Sequence, residues 1–131
     1  MGKLKLKITS TSDGDTVVST VDNGEIKYRD DKILLSFTLI TEDIPLKTDI
    51  MLTDGRAVIS RSSPSKTSLI LQKGKTTNSQ YGLMFATVPV RVFAKQISYD
   101  IKDDKGFLEL EYDIFDLSQQ ALSLKIRIDI L

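Results

Sequence analysis

The chain has 131 residues, which suits one hydrophobic core rather than two, and its eighteen basic side chains balance eighteen acidic ones. A net charge of zero is not typical of a nucleic-acid binder or of a protein that binds anionic membranes, and no apolar run approaches the roughly 20 residues that cross a bilayer. Cysteine and histidine are absent, which excludes disulfides, thiolate nucleophiles and the commonest general base and metal ligand. We expect a cytoplasmic protein with a single domain over residues 1–131 and no cofactor, metal or catalytic site.

The N-terminal part of the chain has the alternation and turn residues of short antiparallel strands. Lys3–Thr11 alternates lysine with leucine and isoleucine, which predicts a strand whose basic outer face discourages edge-to-edge aggregation. Thr16–Val21 is rich in β-branched residues and predicts a second strand. Asn23-Gly24 is typical of a two-residue hairpin turn, because both residues tolerate positive φ, and it predicts a separate short strand around Ile26.

The middle of the chain predicts four more strands. Ile33–Thr41 is almost continuously apolar and is therefore expected in the centre of a sheet. Proline and glycine turn signals separate it from three further segments, Leu46–Leu52, Ala57–Ser62 and Lys66–Gln72.

The segment that follows alternates less regularly. Thr76–Gln80 is a polar stretch to which no strand is assigned. Tyr81–Tyr99 is long and rich in β-forming residues but contains Gly82 and Pro89, which predicts either one bent strand or two strands joined at the proline. Asp100–Gly106 is predicted to be a turn.

The C-terminal hairpin gives the strongest fold signal. Phe107–Phe115 and Leu122–Leu131 each alternate strictly between an apolar and a charged face, as in half-buried antiparallel strands. Two registers match acids on the first strand with bases on the second. They place Asp113 opposite Lys125 and Glu111 opposite Arg127, or Glu111 opposite Lys125 and Glu109 opposite Arg127.

The whole pattern predicts an all-β fold. Strand signals recur with turns every 8–12 residues, and no stretch has helical periodicity. We predict a single antiparallel up-and-down β-barrel of about 8–10 strands, in which the last strand pairs with an early one, and the alternative is a β-sandwich.

A spaced set of residues recurs from Ala57 to the C-terminus. It comprises Ile59-Ser60-Arg61, Thr67–Leu71, Gly74, Ser79-Gln80-Tyr81, a long strand from Phe85 onward and Gly106–Tyr112. This set resembles the YwiB-like family, a bacterial domain of unknown function with a calycin-like β-barrel. Two glycines expected from the resemblance are replaced, one by Ser62 and Ser63 and one by Ala86. The resemblance implies a lipocalin-like barrel, which side chains fill or which holds one small ligand.

Arg61, Tyr81 and Tyr112 are the candidate ligand-binding residues. Arg61 alternates with Ala57 and Ile59, and inside a barrel such a cation requires a carboxylate partner or an anionic ligand. Tyr81 and Tyr112 would supply hydroxyl groups beside it and apolar rings to line a cavity.

Two functional hypotheses follow. The first is a non-enzymatic barrel that binds a small, partly apolar ligand with or without an acidic group. The second is a structural or protein-interaction domain with a filled barrel, as a monomer or a homodimer. The acidic residues Glu109, Glu111 and Asp113 share an outer face with basic neighbours, which does not provide the sheltered cleft that paired catalytic carboxylates need. Neither hypothesis involves nucleic acid or a membrane.

Overall fold

Ten β-strands account for almost all of the residues that the computed structural model describes, which are 3–41, 44–61, 66–82, 86–115 and 121–131. No helix occurs in these ranges. In chain order the strands are β1 Leu4–Ser12, β2 Asp15–Arg29, β3 Lys32–Thr41, β4 Ile44–Thr53, β5 Arg56–Arg61, β6 Thr67–Gln72, β7 Thr76–Gly82, β8 Thr87–Lys102, β9 Lys105–Phe115 and β10 Ala121–Ile130.

The strands form one closed antiparallel barrel. Each strand pairs with the next one in the chain, and β1 closes the sheet by pairing with β10, for example through Ile8 and Ile128. The predicted up-and-down barrel and its closure by the last strand are confirmed, and the sandwich alternative is wrong. Closure leaves the first and last strands without an open edge, which removes the main aggregation hazard of a β-protein.

The two ends of the barrel differ. At one end, here called the turn end, the strands are joined by the short connections 30–31, 54–55, 73–75 and 103–104. At the other, here called the loop end, three of the five connections have four or five residues, 62–66, 83–86 and 116–120. Tyr28 crosses part of the turn end, because its hydroxyl accepts a hydrogen bond from the Asp104 backbone N–H at 3.0 Å and donates one to the Asp104 carboxylate at 3.2 Å.

The core lies inside the barrel and is densest toward the turn end. Every second residue of a strand faces inward, and near the turn end several of these residues have no exposed surface. They include Leu6, Leu35, Leu52, Ala57, Leu71, Leu108 and Ile128. Packing of this kind leaves few voids, so this part of the barrel is filled by side chains.

The hairpin predicted at Asn23-Gly24 is wrong. The chain runs through this dipeptide as part of β2, with a register irregularity against β1 between Leu4 and Leu6. The Asn23 side chain bonds the Thr38 backbone twice, donating to its carbonyl and accepting from its N–H at 2.9 Å each. Gly24 is buried against Leu6, where a β-carbon would lie 2.7 Å from the Leu6 Cγ. Tertiary contacts therefore hold the dipeptide in a strand, although its local preference is for a turn.

The structure also departs from the sequence pattern between residues 76 and 99. The polar stretch Thr76–Gln80, to which no strand was assigned, is most of β7, and its hydroxyl groups bond neighbouring strands. Tyr81 and Gly82 end β7, and the chain reverses before β8, so there is no long strand across Gly82. Pro89 does not break β8. It precedes Arg91, the residue at which pairing of β8 with β9 begins, so a missing N–H costs little on that side of the strand. Residue Phe85 lies outside the described residues.

The terminal hairpin adopts the second of the two predicted registers. Glu111 pairs with Lys125, and Glu109 pairs with Arg127. The Arg127 guanidinium donates to the Glu109 carboxylate at 3.0 Å and holds the pKa of that carboxyl below its usual value. Lys125 reaches the same carboxylate diagonally at 3.5 Å. These ion pairs lie on the outer face, where such pairs contribute little stability.

The seam between β6 and β7 is closed mainly by side chains. Within the described residues the two strands share one register pair, Ser68 with Gln80. The Ser79 hydroxyl accepts a hydrogen bond from the Ile70 N–H at 2.9 Å, and the Thr77 hydroxyl donates to the Ile70 carbonyl. Hydroxyl groups thus take the place of ladder hydrogen bonds at this point of the barrel.

We expect Ser79→Ala to lower the free energy of unfolding by about 1–3 kcal/mol, because it leaves the Ile70 N–H without its partner at a buried site. Chemical denaturation measures this loss, and amide hydrogen exchange should be faster at Ile70. Ser60→Ala on the outer face of β5 is the control. Equal stability of the two variants would show that the seam does not depend on the Ser79 hydroxyl.

Candidate functional site

The structure places Arg61, Tyr81 and Tyr112 on the inner face of the barrel. Arg61 ends β5 and shares its face with Ala57 and Ile59, which are buried. Tyr81 lies at the end of β7, opposite Val88 of β8, and Tyr112 lies in β9, where it is only 3% exposed. Strand alternation therefore points all three side chains inward from β5, β7 and β9.

Arg61 is anchored by a hydroxyl group rather than by a carboxylate among the residues described. Its Nε donates to the Thr48 Oγ1 at 3.0 Å, and Thr48 is buried at 1% exposure. The ion pairs between described residues join other side chains, chiefly those of β8, β9 and β10. The side chain is partly buried, and Thr48 accepts from one of the five N–H groups that a guanidinium carries.

A second threonine lies beside the arginine. Thr67, on the first residue of β6, pairs with Arg61 in register and is buried. Its Oγ1 accepts a hydrogen bond from the Gly82 N–H at 2.8 Å, which ties β6 to the end of β7 beside Tyr81. Thr48, Arg61 and Thr67 thus form a polar row across β4, β5 and β6 next to an otherwise apolar interior.

Tyr112 is held in its neutral form. Burial raises the pKa of its phenol well above the ordinary value, the nearby Arg61 charge partly opposes this rise, and Tyr81 adds to it. A neutral phenol keeps its proton and can donate a hydrogen bond at any physiological pH. The arrangement combines one permanent cation with a buried hydroxyl donor, which is the chemistry that recognises an anion.

The site lies toward the loop end of the barrel, where the inner face is partly open. Inward-facing apolar side chains that pack against the core remain partly exposed there. They are Val88, Leu124 and Ile126, and Leu122 of the same face is 36% exposed. Arg61 is itself partly exposed, so solvent reaches the inner face beside it.

The chain is similar to a known protein family and to a solved β-barrel structure. The family described as "Domain of unknown function (DUF1934)" matches residues 3–128. The chain belongs to this family. A relative in Bacillus subtilis strain 168, named "Uncharacterized beta-barrel protein YwiB", is 23% identical over 112 residues, which cover 85% of this chain and 79% of the relative. The crystal structure of the ywiB protein from the same species superposes with a TM-score of 0.78 at 20% identity and covers 99% of this chain and 92% of that one.

Membership of the DUF1934 family confirms the resemblance found in the sequence. The barrel of the solved relative supports the fold of this chain, and the closed meander is compatible with the calycin-like barrel that the resemblance implied. The family description carries no activity, and nothing in these comparisons indicates catalysis. None of the described residues forms a helix long and apolar enough to cross a bilayer.

Of the five residues grouped here, the sequence singled out Arg61, Tyr81 and Tyr112 but not Thr48 or Thr67. These two threonines share their strand faces with leucine and isoleucine. A hydroxyl residue at an inward position of an apolar strand was the signal available for both. The sequence did not show that Thr48, Arg61 and Thr67 lie side by side, because the pairing of β4, β5 and β6 is known only from the folded barrel.

Acid–base and metal chemistry find no support in the residues described. Glu109, Glu111 and Asp113 lie on the outer face of β9, beside Lys95, Lys125 and Arg127. No group of three or more acidic side chains converges on a common point within these ranges.

Proposed function

We propose that this protein binds a small amphipathic molecule with an anionic headgroup at the loop end of its barrel. The observation that carries the proposal is Arg61, an inward-facing and partly buried cation whose described partner is the neutral hydroxyl of Thr48. Removing a guanidinium from water is costly unless an anion or several hydrogen bonds compensate. An anionic ligand would supply that compensation by binding the guanidinium.

The polar residues suit a carboxylate or a similar planar anion. A guanidinium presents parallel N–H groups that match two carboxylate oxygens, and charge-assisted bonds of this type are stronger than neutral ones. Tyr112 would add a neutral hydroxyl donor, and Tyr81 lies on the same inner face nearer the barrel rim. The site therefore favours an acid over its alcohol or amide.

The apolar residues suit the remainder of such a ligand. Val88, Leu124 and Ile126 face inward and keep part of their surface exposed, so that an apolar ligand portion would bury them further. Eight strands already make a barrel just wide enough to hold one small ligand, and ten strands make a wider one. The filled turn end would limit how far the ligand reaches.

The proposal includes a binding role without catalysis and a cytoplasmic location. The absence of histidine and cysteine removes the side chains that most often act as general base or nucleophile. Acidic side chains that could replace them lie on the outer surface of β9. A chain without cysteine also suits a reducing compartment.

A ligand-binding series tests the proposal. The sulfonated fluorophore 1-anilinonaphthalene-8-sulfonate and dodecanoate serve as probes, after native mass spectrometry has shown whether a molecule copurifies. We expect one probe molecule per barrel, displaced by dodecanoate. Arg61→Gln should weaken dodecanoate binding by about 10–100-fold, because a charge-assisted hydrogen bond contributes about 1.5–3 kcal/mol.

Matched controls separate the headgroup site from general apolar binding. Arg56→Gln removes a cation from the outward face of the same strand and should leave dodecanoate binding unchanged. Dodecanol, which lacks the charge, should bind both variants equally. Failure of both probes to bind, or equal effects of the two arginine variants, would instead favour a structural domain with a filled barrel.

A further inference from the structure

An apolar row crosses the outer face of the barrel, on the opposite side of the sheet from the core. It consists of one outward-facing residue from each of four adjacent strands, β3 to β6. Register pairs join them in the order Leu34, Met51, Val58 and Ile70. Met51 is 41% exposed and the other three are partly exposed, so the row is open to solvent.

This row differs from the outer faces of β1, β9 and β10, whose outward-facing positions are mostly charged or hydroxyl-bearing. On β9 the Phe107 ring is covered by the Arg127 guanidinium, which stacks over it at 4.6 Å. The row instead presents four neighbouring apolar side chains that are all at least partly exposed.

Charged residues flank the row with opposite sign on its two sides. Toward the turn end lies a basic row of outward-facing residues, Arg29, Lys32 and Arg56. Toward the loop end lies a row of acids and hydroxyls, Glu25, Ser36, Asp49 and Ser60. Further from the apolar row, the sign of the charge changes again on each side. The turn residues Asp30, Asp31 and Asp54 lie beyond the basic row, and Lys47 lies beyond the acidic row.

We propose that this face binds a second copy of the same chain, through a two-fold axis that runs along the apolar row. Rotation about that axis lays one row on the other and exchanges the two flanks. Thr53 of each copy then lies opposite Asp49 of the other, with Lys32 and Arg56 one strand to either side of that aspartate, and the acidic turns face Lys47. An axis parallel to the strands would place bases against bases, so the charge pattern selects one orientation.

The dimensions of the face fit a weak, specific dimer. Five strands at about 4.8 Å span half of the ten-strand wall, so the curvature of the barrel lets only the central strands of the face meet a partner at once. The pair should therefore bury less than about 1,000 Å² in total, as weak, transient interfaces do, and should dissociate in the micromolar range. The face is not uniformly convex, because Leu34, Met51 and Val58 help to line an open depression of about 500 Å³. The flexible Met51 side chain can adapt to such a surface.

Sedimentation velocity over a concentration series tests the proposal. We expect the wild-type protein to shift from monomer to dimer as its concentration rises through the micromolar range. Met51→Glu should raise the dissociation constant at least tenfold, because it buries a charge in the apolar row. Val18→Glu is the matched control, since Val18 is also exposed, at 55%, but lies on β2 away from this face. Circular dichroism verifies that each variant is folded.

A charge exchange tests the orientation of the axis. Arg56→Glu and Asp49→Arg should each weaken dimerisation severalfold, and the double variant should restore it to within about threefold of wild type, as expected for coupled residues. Asp49 is chosen as the acidic position for this exchange because Glu25 already forms an ion pair with Lys3 of the same chain. A wild-type protein that stays monomeric at several hundred micromolar, a dimer that survives Met51→Glu, or a double variant no better than the singles would each overturn the proposal.

Discussion

Gly106→Ala is expected to lower the free energy of unfolding by more than about 3 kcal/mol. Gly106 follows the β8–β9 turn with a φ of 127°, a conformation that side-chain-bearing residues rarely adopt. A β-carbon at this position would lie 1.8 Å from the Asp100 carbonyl oxygen and 3.1 Å from the Ile101 Cα. These are backbone atoms of the neighbouring strand, so the clash is relieved only if β8 and β9 separate where Ile101 pairs with Gly106. Urea denaturation of both proteins measures the loss.

Gly74→Ala is the control for this prediction. Gly74 also has a positive φ, 75°, but no atom lies within 4 Å of the place that its β-carbon would occupy. We expect a loss of about 1–2 kcal/mol, the ordinary penalty for a left-handed conformation without a steric clash. Equal losses in the two variants would show that the close approach of Asp100 is not rigid.

Leu110→Ala is expected to lower the free energy of unfolding by about 3–5 kcal/mol. Leu110 lies in the middle of β9 with no exposed surface, between Ile97 of β8 and Ile126 of β10. Truncation removes buried methyl groups and leaves a cavity that a closed barrel cannot collapse easily, because its strands are fixed on both sides. Urea denaturation of the variant and the wild type measures this loss.

Leu122→Ala is the matched control, on the same inner face of the barrel but at the loop end. Leu122 is 36% exposed, so its truncation should cost less than about 1 kcal/mol. A large loss at Leu122 would mean that the loop end is packed as tightly as the rest, and the binding site proposed beside Arg61 would then have no room for an apolar ligand.

Much of the fold follows from local sequence patterns. The alternation in Phe107–Leu131 predicts two strands, their inner face and a choice of two registers, one of which the structure adopts. The same reasoning placed Arg61 on one strand face with Ala57 and Ile59, and the structure shows that this face is the inner one. Such predictions succeed because side chains along a strand alternate with a fixed period of two, whichever strands become the neighbours.

The failures share a different cause. Asn23-Gly24 prefers a turn, but the Asn23 side chain bonds Thr38 and Gly24 packs on Leu6, so distant residues decide its conformation. Thr76–Gln80 was assigned no strand because it is polar, yet its hydroxyl groups close the seam between β6 and β7. In both cases the tertiary partner, absent from any local window, supplies more stability than local propensity does.

The sequence by itself determined the all-β class, the identity of the inward-facing residues and the lack of histidine and cysteine chemistry. Only the tertiary structure decided that the sheet closes into a barrel, that Thr48, Arg61 and Thr67 lie side by side, and that an apolar row lies between basic and acidic rows outside. The physical reason is that alternation is a property of one strand, whereas adjacency and register arise from the packing of all ten.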